Sequence, residues 1–240
     1  MIVLRRGSER LCVRHRKQEV WRTFDPLNRA DPLADGFGAL SALDEIHLSP
    51  SAGVTPRPDQ QAEVVTYVLE GALAQEDSTG RSEVIRVDEF QRITTGRVRH
   101  SERNASQGAA ARLFRLSLHP AVAELDCTRE HKLFPVAERR GVLRVVASPD
   151  GRRGSLRLHQ DALVCSSILD PGQHLIHELK PGHSVWLHFV HGEAAVGGHI
   201  LFGGDGAGVT DEPAVSLTAR ERSEILLIDL ADRAPQPVES

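Results

Sequence analysis

GVTPRPDQQAEVVTYVLEGALAQEDSTGRSEVIRVDEFQRITTGRVRHSERN, residues 53–104, is the stretch on which the fold turns. An extended lead-in runs from Gly53 to Glu63, where Pro56 and Pro58 hold the residues before them in β or polyproline geometry. An alternating run from Val64 ends in a tight turn at Gly71, a second turn follows at Asp77 to Gly80, and the return closes on His100-Ser101-Glu102. Short strands with turn signals every ~8–12 residues predict a small antiparallel barrel or sandwich. On a strand, residues i and i+2 face the same way. Arg57 with Asp59, and His100 with Glu102, are therefore two same-face pairs that closure of the barrel can bring together.

The rhythm extends in both directions. Gly36 to Leu48 reads as a long strand, and Ser82 to Val87, Phe90 to Thr94, Arg97 to Ser101 and Ala111 to Leu118 complete a first set, stopped by His119-Pro120. Trp21 and Phe24 are expected to close the end of a barrel. Ala121 to Ala137 has a weak helical period and mixed charge, and reads as a surface connector. A second set of strand-like runs follows between Leu143 and Asp229, punctuated by Asp150-Gly151, Pro171-Gly172, Pro181-Gly182 and Gly197-Gly198. Gly203 to Gly208 lacks the Lys-Ser/Thr of a phosphate-binding loop and no helical pattern follows it, so it reads as a plain loop. The same pattern twice predicts an all-β chain of two barrels, residues 1–135 and 136–240.

Several of these stretches also carry a family resemblance. "TYVLEG" (Thr66 to Gly71), "EDSTG" (Glu76 to Gly80), "DEFQ" (Asp88 to Gln91) and "HSERN" (His100 to Asn104) resemble the N-terminal cupin of the pirin family, in particular its bacterial quercetin-dioxygenase-like members. "GFGAL" (Gly36 to Leu40), "SLRLHQD" (Ser155 to Asp161) and "SEILLIDL" (Ser223 to Leu230) extend the resemblance over nearly the whole chain. It implies two tandem cupin barrels, a bicupin. It also implies oxygen-dependent opening of flavonols such as quercetin at a metal in the N-terminal barrel, or, in other members, regulation through protein partners.

In that family a His-x-His pair and a later His and Glu hold one metal ion. The later pair matches at His100 and Glu102, but the His-x-His positions read Arg57 and Asp59. A guanidinium is a permanent cation with no lone pair for a metal. What remains nearby is Asp59, Glu63, His100 and Glu102, one imidazole and up to three carboxylates, a harder shell suited to Mg, Mn or Ca more than to redox-active Fe or Cu. Three readings stand side by side. Arg57 enters the barrel and pairs with some of Asp59, Glu63 and Glu102 in the metal's place; a residual metal site persists, on Fe, Mn, Ni, Cu or Zn; or Arg57 and Asp59 swing to solvent at the mouth. The first gives a metal-free binder of a small molecule, for instance an aromatic one, or of a protein. The second gives a quercetin 2,3-dioxygenase-like enzyme using Asp59, Glu63, His100 and Glu102.

Composition narrows the partners. A net charge of −4 over 240 residues offers no electrostatic footprint for nucleic acid. Basic residues cluster at the N-terminus (Arg5, Arg6, Arg10, Arg14, Arg16, Lys17), but with acids interspersed they read as a solvated edge. No apolar run approaches the ~18 residues of a membrane span, and the short apolar start MIVL runs directly into charge. Cys12, Cys127 and Cys165 are odd in number and far apart, free thiols of a reducing compartment rather than a disulfide framework. A cytoplasmic monomer is the expectation. Five of the 12 histidines fall between His174 and His191 without a cupin ligand spacing, and read as bystanders. His159 is expected to serve as a structural hydrogen-bonding group.

Overall fold

The computed structural model describes residues 1–55, 62–78, 80–94, 100–119 and 127–232, with only the main chain of His100. Each half builds one large and one small sheet. The first large sheet has seven strands in the spatial order Arg129–Leu133, Glu89–Thr94, Glu63–Glu70, Ala111–Leu118, Leu40–Leu48, Gln18–Arg22 and Leu11–His15. Facing it is a small sheet of Ser82–Arg86, Ala72–Asp77 and His100–Asn104. The second half repeats the plan, with a seven-stranded sheet centred on His183–His191, Ser223–Ala231 and Ala162–Leu169 and a four-stranded one. These are the two barrels that the repeated rhythm predicts. Among the described residues no helix is long and apolar enough to cross a membrane.

Strand alternation explains the layering. On Ala111–Leu118, Ala111 and Leu113 turn into the first barrel, while Phe114, Leu116 and Leu118 turn the other way. On Ser223–Ala231, Ile225 and Leu227 fill the second barrel, while Leu226, Ile228 and Leu230 turn out of it. The outward rows of both large sheets merge with Phe24, Phe37, Tyr67, Phe90 and Trp186 into the largest apolar cluster, which lies between the barrels. Phe24 meets Trp186 edge-on at 5.0 Å. It therefore belongs to this interface and does not close a barrel end with Trp21.

Three further expectations change. The initial strand Ile2–Arg5 crosses to the second barrel and pairs with Gly206–Val209. That second strand occupies the stretch expected to be a loop. Its glycines make room for aromatic packing: a Cβ on Gly206 would come within 2.4 Å of the Trp186 ring, and one on Gly208 within 2.4 Å of Phe37. The connector forms a strand where it is described, Arg129–Leu133, followed by the one-turn helix Val136–Arg139. It is an edge strand whose charges are paired, Arg129 with Asp77 at 2.9 Å and His131 with Glu83 at 2.8 Å. The basic cluster is only partly a solvated edge, since Arg5 and Arg10 are buried in ion pairs with Asp31 and Glu45.

The helix delivers Arg139, fully buried, into the interface. Its guanidinium donates to the Phe134 carbonyl (2.9 Å), Ser166 Oγ (3.0 Å), Tyr67 Oη (3.2 Å) and Glu224 (2.7 Å), and to Asp88. Burial pushes the Glu224 carboxyl up, but His191, Arg139 and Tyr67 outweigh it and hold it below its ordinary value. Two charged partners from different barrels thus converge on one cation. His188 sits in the same interface, fully buried against Phe114, with neither ring nitrogen bonded among the described residues. Burial, helped by Arg10, pushes its pKa down to about 3.

Two stability predictions follow from this interface. Arg139→Met should cost about 3–5 kcal/mol, because it leaves the buried Glu224 and the partly buried Asp88 without their guanidinium; urea unfolding reads this, and adding Glu224→Gln should restore part of the loss. An additive loss would show that the stranded carboxylate is not the source. For His188 the unfolded chain takes up a proton below about pH 6.5 that the folded chain refuses until about pH 3, so stability falls with falling pH by about 1.4 kcal/mol per unit. His188→Leu should match or exceed wild type at pH 7 and gain a further ~2 kcal/mol over it by pH 5. A gap that does not change with pH would overturn that account.

Candidate functional site

The interior of the first barrel is built by a row of cross-strand pairs. Ala72–Asp77 runs antiparallel to His100–Asn104 in a register that places Leu73 opposite Asn104, Gln75 opposite Glu102 and Asp77 opposite His100. Asn104 is buried and its amide donates to the carbonyls of Leu48, Ser49 and Ala109, which ties the closed end together. Ile46, Leu48, Val68, Leu73, Ile85 and Leu113 plug that end with apolar packing. Towards the other end the lining turns polar.

Glu102 is the centre of the polar half. Its Oε1 accepts from Gln75 Nε2 at 2.5 Å, and Gln75 Oε1 accepts in turn from Gln91 Nε2 at 2.7 Å. Its Oε2 is ion-paired with Arg115. Both residues of the pair are largely buried, with 13% and 12% of their side chains exposed. Arg115 lies two residues from Leu113 on the inward row of Ala111–Leu118. Gln91 Oε1 and Arg115 Nε are buried without a hydrogen-bond partner among the described residues. At the open end Asp77 pairs with Arg129 from the edge strand.

The residues singled out from the sequence divide as follows. Arg57, Asp59 and the side chain of His100 lie outside the described residues. Glu102 lies in the barrel, as its same-face spacing implies. Glu63 is fully buried and shares the parity of Val65 and Tyr67, which face the domain interface. Its carboxylate accepts from the His159 main-chain N–H at 2.8 and 2.9 Å and meets His159 Nδ1 at 2.9 Å. It clamps one barrel to the other, and among the described contacts it does not join Glu102. His159 has the structural role expected of it.

Arg115, Gln75 and Gln91 were not anticipated. A signal for Arg115 exists in "ARLFRLSL": Arg112 and Arg115 are three apart on one strand, so one of them has to face inward. The histidines read as bystanders are partly organised. His177 Nε2 and His183 Nδ1 both bond Asp229, at 2.7 and 2.6 Å, in the second barrel. Burial pushes the Asp229 carboxyl up, and the two imidazoles outweigh it and hold it below its ordinary value.

The donor set can be weighed against a metal. Both oxygens of Glu102 are engaged, one by an amide and one by a fixed guanidinium, so a dication reaching Glu102 has to share the carboxylate with the Arg115 charge. Among the described residues no group of three or more His, Cys, Asp or Glu is placed to hold a metal ion. The side chains at positions 57, 59 and 100, which carry the rest of the family's ligand set, lie outside the described residues.

Comparison with known proteins agrees with the architecture. Residues 6–117 match the pirin family, and residues 145–230 match the quercetinase C-terminal cupin domain. The chain is 32% identical over 231 residues to a quercetin 2,3-dioxygenase of Escherichia coli, covering 96% of this chain and 99% of that one. A putative quercetin 2,3-dioxygenase of Pseudomonas aeruginosa is 31% identical over 203 residues, covering 84% and 87%. The crystal structure of the Escherichia coli bacterial pirin YhhW in complex with nickel(II) superposes with a TM-score of 0.89 at 32% identity, covering 97% of this chain and all of the other.

A double-mutant cycle tests the barrel ion pair. Arg115→Leu alone should destabilise by about 2–4 kcal/mol by leaving Glu102 half-desolvated, and Arg115→Leu with Glu102→Leu should lose less than the sum of the two single changes. Strict additivity in urea unfolding would show that the pair is not coupled.

Proposed function

Since the chain belongs to the pirin family, we propose that it is a pirin-type bicupin in which an internal arginine has taken the place of the N-terminal metal, and that it binds a small aromatic molecule without oxidising it. The observation that carries this is the Arg115–Glu102 pair. A carboxylate neutralised by a guanidinium and aligned by the chain Gln91 to Gln75 keeps its charge compensated with no ion present. Arg57 and Asp59 stand at the sequence positions where the family carries imidazoles, and neither residue type offers an imidazole nitrogen. A protein partner at the barrel mouth is a compatible role, and a cytoplasmic monomer is part of the same proposal.

A second reading is a metal-dependent, quercetin 2,3-dioxygenase-like oxidoreductase. It is favoured by the full-length similarity to proteins of that name, by the nickel(II) complex of YhhW, and by His100 and Glu102 two apart on one strand. In this reading Arg115 leaves Glu102 when His100, Glu102 and Asp59 hold the ion. Glu63, held by His159, takes no part.

Metal analysis of untagged protein separates the two. The expected result is no Fe, Mn, Ni, Cu or Zn above background, quercetin bound but no oxygen consumed, and weaker quercetin binding in Arg115→Leu. Near-stoichiometric metal that is lost in His100→Ala, with quercetin-dependent oxygen uptake, would establish the dioxygenase instead.

A further inference from the structure

Between the two barrels, away from the barrel interior, lies a cleft of ≈ 710 Å³, within the range of small-molecule sites. One wall is Trp21 and the outward ends of two strands of the first barrel, Glu45, His47 and Arg112; the other is the glycine-rich Gly203-Gly204 turn and His191 of the second. Arg10, from the basic N-terminal cluster, reaches into it and lies over the Trp21 ring at 5.6 Å.

The two arginines of the cleft share one buried carboxylate. Each acid of the lining has its own partner within the fold. Asp205 accepts from the Gly7 main chain (2.7 Å), the Phe202 main chain (3.1 Å) and Arg6 (2.9 Å), and Glu19 accepts from Arg14 (3.0 Å) and Trp21 (2.8 Å). Glu45, by contrast, is one carboxylate shared by two fixed cations, Arg10 at 2.9 Å and Arg112 at 2.7 Å, with His47 also on it at 2.8 Å. Burial pushes the Glu45 carboxyl up, and these partners outweigh it and hold it at about 2. Within hydrogen-bond distance, one carboxylate therefore serves two guanidiniums. Arg10 keeps Nε and Nη1 without a partner among the described residues, although only 7% of its side chain is exposed. Arg112 Nη1 makes a longer ion pair, at 3.7 Å, with the exposed Glu70 at the edge of the cleft. The buried His188 feels the charges of Arg10, Glu45 and Arg112, and both its ring nitrogens are unpartnered among the described residues.

The backbone is shaped for close approach. Gly204 has φ +90°, and a Cβ there would press to 3.0 Å on the Arg10 guanidinium. One on Gly203 would lie 3.0 Å from the His191 Cα. Side chains at either position would fill the cleft or displace the arginine.

We propose that this interdomain cleft is a second binding site, which takes a small organic carboxylate held by Arg112 and Arg10 beside the Trp21 ring. The planar carboxylate matches the guanidinium fork, and the flat indole wall accommodates an apolar or aromatic body. Half-exposed His47 and His191 stand at the rim, with 44% and 45% of their side chains exposed, as further donors. The site is independent of whether the barrel holds a metal.

Benzoate is the probe. The chain has two tryptophans, so an amide-proton NMR titration reads two indole signals, one of which reports the cleft. Benzoate should shift the Trp21 indole saturably beyond a chloride control of equal ionic strength, and should do so less at high salt. Arg112→Ala should weaken binding about tenfold or more, with Arg112→Lys intermediate, while circular dichroism shows both variants folded. No saturable shift, or binding that survives Arg112→Ala but is lost in Arg115→Leu, would overturn the assignment; the latter result would place the ligand in the barrel.

Discussion

The two barrels depend on one buried cation. Arg139 comes from the connector, yet its five acceptors are a connector carbonyl, two groups of the first barrel (Tyr67, Asp88) and two of the second (Ser166, Glu224). A guanidinium in this place is costly to desolvate, and it persists because its donors and both flanking acids are matched. Tyr67 and Phe90, stacked at 4.3 Å, present ring faces to it at 5.3 and 5.9 Å. Burial, together with the charge of Glu224, pushes the Tyr67 hydroxyl pKa up, which keeps it a neutral donor. The apolar rows supply most of the area between the barrels, but rows slide. The five-fold contact at Arg139 and the Glu63–His159 clamp fix a single register.

The barrel interior follows the same rule, that a buried charge is retained only with its complement. Glu102 would be an isolated buried carboxylate without a cation beside it. Arg115 supplies that cation from within the strand set, and the glutamine chain orients the carboxylate. The two barrels solve the problem differently: the second places Asp229 between two imidazoles. Neither arrangement follows from the fold, because a cupin barrel specifies where inward side chains point and leaves their chemistry open.

Much of the architecture was legible because it rests on alternation. Ala111 to Leu118 was read to the residue, and the repeated rhythm gave two barrels. The failures share a physical cause, which is that the deciding partner lies far away in sequence. Gly206–Val209 looks like a loop until Trp186 and Phe37 are seen to need the absent side chains. Arg129–Leu133 has no apolar alternation, since its strand character comes from pairing with Glu89–Thr94 and from charges on Asp77 and Glu83. Glu63 was assigned to the cavity by proximity to Arg57 and Asp59, whereas its parity with Tyr67 already turned it towards the other barrel. At the candidate site, Glu102 is legible from spacing; Arg115 on the facing strand is not, and Arg57 lies outside the described residues.

The relation between Arg115 and the altered ligand positions is one of magnitudes. A dication about 5 Å from a guanidinium, at an effective dielectric near 20, is repelled by roughly 6–7 kcal/mol. Four good ligands give apparent metal affinities of about 10–16 kcal/mol, enough to absorb such a term or to drive the arginine aside. With Arg57 and Asp59 at the His-x-His positions of the sequence, the two imidazole nitrogens of the family pattern are replaced. On the reading proposed above, His100 and Glu102 alone have to outweigh the Arg115 charge. Under the proposed reading, the substitutions at 57 and 59 and the inward arginine at 115 are therefore parts of one change: once the imidazoles are lost, an internal guanidinium becomes the stable way to keep Glu102 buried.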